Sequence, residues 1–288
     1  LYYSHNDAIL YAKLLERKYA RLKNVIDFHA HAFPDKVASK AVANLSKHYS
    51  LKIERKGTLK DLINSAKEGG IHHIVVHSTA TNPEHVETVN NWIASITGNG
   101  IIGFGTIHPD YPFIEKELCR ILKLGLKGLK LHPDFQGFYI DDPKMMPIYE
   151  MIGSRMPVLF HLGDERLDYS SPRRLARVIN NFPHMIIIGA HLGGYARWDE
   201  AMEYLIGKNI YIDTSSSLWR LDTKKAVTLI KKHGVEKVLF GTDYPITSHK
   251  SELERFMKLK LSTEEKEKIL WENGRKLLKL QSTFEQAI

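Results

Sequence analysis

The chain contains one cysteine, Cys119, in 288 residues. No disulfide can close within it, so its stability rests on a packed core. This fits a reducing, cytoplasmic setting. Cys119 shares a helical repeat with Ile114, Leu118, Ile121 and Leu122 and is expected as a core thiol. No apolar run approaches the ~20 residues of a membrane span. Residues 1–23 lack the apolar core and small-residue cleavage site of a signal peptide. The net charge is +8, yet no basic run reaches five residues. Lysines scattered over outer helices account for such a balance, so no nucleic-acid or membrane partner is called for; a small-molecule substrate is expected, and an anionic one is the secondary reading of the charge. No Gly-x-Gly-x-x-Gly follows the first apolar run, which weakens the case for a dinucleotide-binding open sheet. Low-complexity segments and long linkers are also missing.

What is present is an ordinary globular composition, 43% hydrophobic and 26% charged. Eight apolar, β-branched runs alternate with helical stretches. They begin near Val25, Ile71, Ile101, Gly128, Pro157, Met185, Asn209 and Lys237. Strict alternation argues for a parallel sheet, and nearly continuous apolar runs for strands covered on both faces. Eight such units in this length predict a (β/α)8 TIM barrel, α/β in class. The barrel forms one domain over 1–288, with extra helices at its C-terminal end. Residues 1–23 read as an amphipathic N-terminal helical extension (Ile9, Leu10, Leu14, Leu15, Leu22) that docks on the domain and offers a surface for a homodimer.

Chemistry in such a barrel gathers where strands end. The first run ends in Asp27-Phe28-His29-Ala30-His31. Positions two apart on a strand share a face, so His29 and His31 can present two imidazoles to one divalent ion, and Asp27 has the same parity. Later runs end at His77, His108, Lys130 with His132, His161, His191, Asp213 with Thr214, and Asp243. His29, His31, His161 and Asp243 suit one metal ion, zinc first and manganese, iron or cobalt next. An ion there would bring a water towards ionisation at neutral pH. His191 is placed as base, acid or further ligand, and Asp243 can also accept a proton. His77 and His108 read first as structural, and His132 either joins the site or shapes the loop before Pro133. Lys130, facing a barrel interior, needs a counter-charge or must lose its proton. It can bind a substrate carboxylate or, carboxylated, bridge two metals. Phe135, Gln136, Phe138, Tyr139, Asp164, Arg166, Tyr195, Ser215, Ser216, Trp219, Arg220 and Tyr244 are candidates for the pocket wall. Arg166 and Arg220 are the candidates to clamp an acid.

Taken together, the segments DFHAH (27–31), GLKLHP (128–133), VLFHLG (158–163), GAHLGG (189–194), IDTS (212–215) and LFGTDYP (239–245) resemble the amidohydrolase superfamily. More narrowly, they resemble the amidohydrolase-related group that includes aminocarboxymuconate-semialdehyde decarboxylase. The resemblance implies a metal-dependent barrel in which His29, His31, His161 and Asp243 are ligands and His191 helps activate the metal's water. It also places Lys130 on the strand that carries a carboxylated lysine in two-metal members, so metal count stays open between one ion and two. TatD-like deoxyribonucleases also open with His-x-His, but typically show Glu-Thr-Asp where this chain has Gly241-Thr242-Asp243. The expected reaction is hydrolysis of a small amide, ester or lactone by a metal-activated water. The alternative is non-oxidative decarboxylation of an unsaturated acid at the same site.

Overall fold

Each of the eight apolar runs forms a strand. The computed structural model describes residues 24–280, so the extension expected over 1–23 lies outside the described residues. The strands are β1 (Ile26–His31), β2 (His73–His77), β3 (Ile101–Gly105), β4 (Gly128–Leu131), β5 (Val158–Phe160), β6 (Ile187–Gly189), β7 (Tyr211–Asp213) and β8 (Val238–Leu239). They pair in sequential order, all parallel. The sheet closes on itself, because Phe28 N donates to Phe240 O at 2.7 Å and His31 N to Tyr244 O at 2.7 Å. The result is an eight-stranded parallel barrel.

The helices are α1 (Asp35–Tyr49), α2 (Leu59–Gly69), α3 (Val86–Ile96), α4 (Ile114–Lys123), the single turn α5 (Pro133–Gln136), α6 (Met146–Ile152), α7 (Pro172–Asn181), α8 (Trp198–Tyr204), α9 (Thr223–His233), α10 (His249–Met257), α11 (Thr263–Glu267) and α12 (Asn273–Leu278). Their boundaries follow local chemistry. Thr58 caps α2 by accepting from Asp61 N, and Gly70 ends it in a left-handed turn. The last helical stretch is not one regular helix, because a wide turn at Lys268–Glu272 separates α11 from α12.

Alternation along each strand sorts two cores. Ile74, Val76, Leu129, Leu131, Val158, Phe160, Ile212 and Phe240 face the helices. Ile26, Phe28, Val75, Ile102, Phe104, Leu159, Ile188 and Leu239 fill the barrel. Trp271, Leu277 and Leu278 from the C-terminal helices pack against this interior cluster. Gly128 leaves room for Phe104, whose ring lies 2.6 Å from where a Cβ would stand. Apolar residues thus fill the barrel interior below the site, and the polar residues stand at the strands' C-terminal ends.

Two expectations fail here. Asp27 does not share the face of His29 and His31. The β1–β2 register slips between Asp27 and Ala30, a bulge that adds one residue and reverses parity. Asp27 instead points outward, where it accepts from Thr242 N at 3.0 Å and lies 3.2 Å from His249 Nε2 on α10. Cys119 is exposed, not a core thiol. The buried face of α4 is Glu117, Leu118 and Ile121, and a residue one step past Leu118 is turned ~100° away from it.

Candidate metal centre

Four side chains from three strand ends converge over the apolar interior. The bulge in β1 turns both His29 and His31 inward. His31 Nε2 lies 3.2 Å from Asp243 Oδ1, and His29 Nε2 lies 3.5 Å from the same oxygen. Asp243 follows β8 with a left-handed φ of 63°, and its other oxygen accepts from Ser216 Oγ at 2.6 Å. Gly241 is needed for this approach, since a Cβ there would stand 2.9 Å from His29 Cβ. Lys130, on the inward face of β4, is fully buried with Nζ 3.2 Å from His29 Nε2.

The second half of the centre comes from β5 and β6. His161 follows β5 directly. His191 does not continue β6 as the sequence suggested. It opens a tight turn with φ of 61°, followed by Leu192 at 51°. That turn brings His191 Nε2 to 3.0 Å from His161 Nδ1. Strain of this kind gathers at functional sites. Gly193 and Gly194, which close the turn, were the only hint of it in the sequence.

Buried partners fix the tautomers. His29 Nδ1 lies 2.9 Å from Asp213 Oδ2, so it donates there and leaves Nε2 as the acceptor nitrogen, which faces Lys130 Nζ. His191 Nδ1 lies 3.0 Å from Ser215 O and likewise directs a Nε2 lone pair inward. Asp213 also accepts from His191 N and Ser215 N. Burial pushes the Asp213 carboxyl up, but His29 and His191 outweigh it and hold it at about 2. Burial drives the imidazoles of His31 and His191 down to about 4 and that of His161 well below its ordinary range. The result is a set of neutral nitrogen lone pairs around one ionised carboxylate, the donor set that suits a divalent ion. His29, His191 and Asp243 form one group close enough to hold an ion, His29, His31 and His77 a second, and His132, Asp134 and His161 a third.

These shifts carry a prediction for the protein freed of metal. An imidazole held near 4 when folded and near 6.5 when unfolded binds fewer protons in the folded state between those values. Stability is then present in full above about pH 6.5 and drains away as pH falls towards 4. Urea midpoints at pH 7, 5.5 and 4 should fall in that order, and a flat profile would contradict neutral buried imidazoles.

Above the centre lies a cavity of about 440 Å³, lined among others by His31, His161, Asp243, His132 and Phe135. The wall that the sequence reading missed is α1, which supplies Ala41, Asn44, Leu45, His48 and Tyr49. Of its residues only Ala38 is fully buried, because α1 lies over the barrel mouth and leaves its inner face to the cavity. The adjacent His48-Tyr49 pair at its end was the available signal. His132 stacks between Phe135 (3.9 Å, 5°) and His161 (3.8 Å, 9°), and Tyr49 Oη lies 3.4 Å from His132 Nε2.

The remaining candidates are placed as follows. Arg166 is exposed and donates to His48 O. Arg220 pairs with Glu165 and lies over the Tyr195 ring at 4.5 Å. Neither arginine lines the cavity, because each has closer partners at the rim. Asp164, also at the rim, lies 2.9 Å from His48 Nε2. Gln136 ties the loops together through His132 N, Ala80 O and Ile107 O. Phe138 and Tyr244 are core residues, and Tyr139 sits outside under Arg174. His108 is buried away from the cavity, with Nδ1 accepting from Asp110 N.

An eight-stranded barrel with histidines and an aspartate gathered at its strand ends defines a class of metal-centred barrel enzymes. Within it, a family model described as Amidohydrolase matches residues 26–280, and the chain belongs to that family. Decarboxylase orsB of Emericella nidulans is 29% identical over 133 residues, which is 38% of this chain and 39% of that relative's length. Among solved structures, 5-carboxyvanillate decarboxylase LigW from Sphingomonas paucimobilis has a TM-score of 0.70 at 15% identity, covering 90% of this chain and 99% of that one. A dihydroxybenzoic acid decarboxylase from Polaromonas, with bound manganese and 2-nitroresorcinol, has a TM-score of 0.69 at 17% identity, covering 89% and 97%. Among the described residues no helix is long and apolar enough to cross a membrane.

Proposed function

We propose that the chain is a divalent-metal-dependent decarboxylase of a small, flat, unsaturated or aromatic carboxylic acid. The observation that carries this reading is the cavity. It opens on His31, His161 and Asp243 and is walled by the rings of Tyr49, His132 and Phe135, a slot suited to a planar substrate. OrsB and the two barrels above are decarboxylases, which supports the same reading. Hydrolysis of an amide, ester or lactone, the first expectation from sequence, is the second reading.

His29, His31, His161 and Asp243 are the residues proposed to hold the ion, zinc by donor chemistry and manganese by analogy with the Polaromonas protein. When bound, the ion supplies Lewis acidity towards substrate oxygens. Asp213 holds His29 in the tautomer that leaves Nε2 available. Lys130 supplies positive charge beside the substrate carboxylate from inside the barrel. In decarboxylation the bond to the carboxylate breaks, its electron pair stays on the former neighbour carbon, and that carbon takes a proton. His191 Nε2, unprotonated at rest because Nδ1–H is committed to the Ser215 carbonyl, is the atom proposed to relay it, first taking a proton from solvent and then passing it to that carbon. Tyr49 and Phe135 keep water from the face of the ring.

The test is incubation with hydroxylated aromatic acids and with their amides and esters. The expected result is carbon dioxide released in step with substrate loss, and a product lacking only its carboxyl group. Products that keep the carboxyl and gain the elements of water would replace this reading with hydrolysis.

A further inference from the structure

His77 ends β2 and has no part in the chemistry above. It is fully buried, and neither ring nitrogen has a hydrogen-bond partner. Its ring stands 4.4 Å from that of His31, at 88°, and 4.7 Å from that of His29, at 72°. Ligand atoms of the three imidazoles lie within 4.8 Å of one another. A buried imidazole with two unpaired nitrogens bears the desolvation cost of both, and leucine or phenylalanine would fill the same space without it. Lys130, the nearest interior cation, does not relieve it, since its ammonium is engaged at His29 Nε2. Buried orphan groups of this kind are explained by a missing partner, and the two neighbours that frame this one are imidazoles already turned inward.

We propose that His77 is a ligand of the metal centre and completes, with His29 and His31, an all-imidazole group of donors. The inference rests on reading this centre as a metal site. Three neutral nitrogens bias the centre towards zinc or cobalt and away from magnesium and calcium, which require oxygen donors. His77 then sets which ion is retained, while His191 remains outside that group for proton transfer.

The test uses the whole chain, stripped with a chelator and reloaded with zinc. In crystals of the zinc-loaded wild type, an anomalous map is expected to place a His77 ring nitrogen about 2.1 Å from the ion. His77→Gln is expected to weaken zinc binding at least ~10-fold against a competing chelating dye, and the metal-free variant to melt no lower than the metal-free wild type. Zinc bound with both His77 nitrogens more than about 3 Å away, and with affinity unchanged in His77→Gln, would overturn the proposal while leaving the metal centre standing. Wild-type protein that takes up no zinc, manganese or cobalt at all would remove the underlying reading instead. If His77→Gln fails to fold, the wild-type map decides alone.

Discussion

Asp243→Asn is expected to weaken metal binding by at least ~100-fold and to lower turnover by ~10³-fold, while the fold persists. The carboxylate is the only anion in the set His29, His31, His161 and Asp243, so its loss leaves neutral imidazoles facing a divalent ion beside the Lys130 ammonium. The amide adds a second fault. Ser216 Oγ donates to Asp243 Oδ2, so the amide oxygen will turn to Ser216. Its NH2 group then faces His31 Nε2 and His29 Nε2, which lie 3.2 and 3.5 Å from Oδ1. A donor in that position occupies the lone pairs that an ion requires. The backbone is not disturbed, because Asp243 N still donates to His29 O. Metal affinity, turnover and circular dichroism on one preparation check all three parts. Wild-type affinity in this variant would remove Asp243 from the ligand set.

The pattern of eight strands was legible because each strand is a short apolar run closed by a polar residue, and burial on both faces demands such runs. That His29, His31 and Asp243 come together follows for the same reason, since strand ends in a closed barrel meet over one axis. Features decided by departures from regular geometry were not legible. The bulge in β1 reverses the parity on which the Asp27 reading rested, and nothing in IDFHAH announces it. The turn at His191 is a second departure, in which a non-glycine residue is held at positive φ by its surroundings. The roof was missed because α1 acts through its position across the barrel mouth, which no periodicity within residues 35–49 encodes. Arg166 and Arg220 were overrated because a sequence shows a charge but not its nearer partners, here the His48 carbonyl, Glu165 and the Tyr195 ring.

Lys130→Met is expected to bind a single divalent ion at least ~10-fold more tightly than wild type and to turn over ~10²-fold more slowly. The two effects have opposite signs because the ammonium has two relations to the centre. Its Nζ lies 3.2 Å from His29 Nε2, and the other nitrogen of His29 is committed to Asp213. The lone pair that would serve an ion therefore accepts from Lys130 in the metal-free protein, and binding must displace a positive charge. Burial lowers the lysine's pKa to about 8, against the pull of Asp213 and Asp243. Wild-type metal affinity should accordingly rise with pH through about 8 as the ammonium discharges, and Lys130→Met should lack that component. Turnover falls if the same charge has the role proposed for it, holding the substrate carboxylate once the ion is in place. A carboxylated Lys130 bridging two ions predicts the reverse, since removing an anionic ligand would weaken binding and cut the metal content from two equivalents to one. Metal titrations of both proteins at pH 7 and pH 9 separate the two arrangements. Tighter binding with one equivalent identifies Lys130 as a cation that guards the centre until substrate arrives. Loss of the second equivalent identifies it as a ligand, and would move the balance of the chemistry back towards hydrolysis.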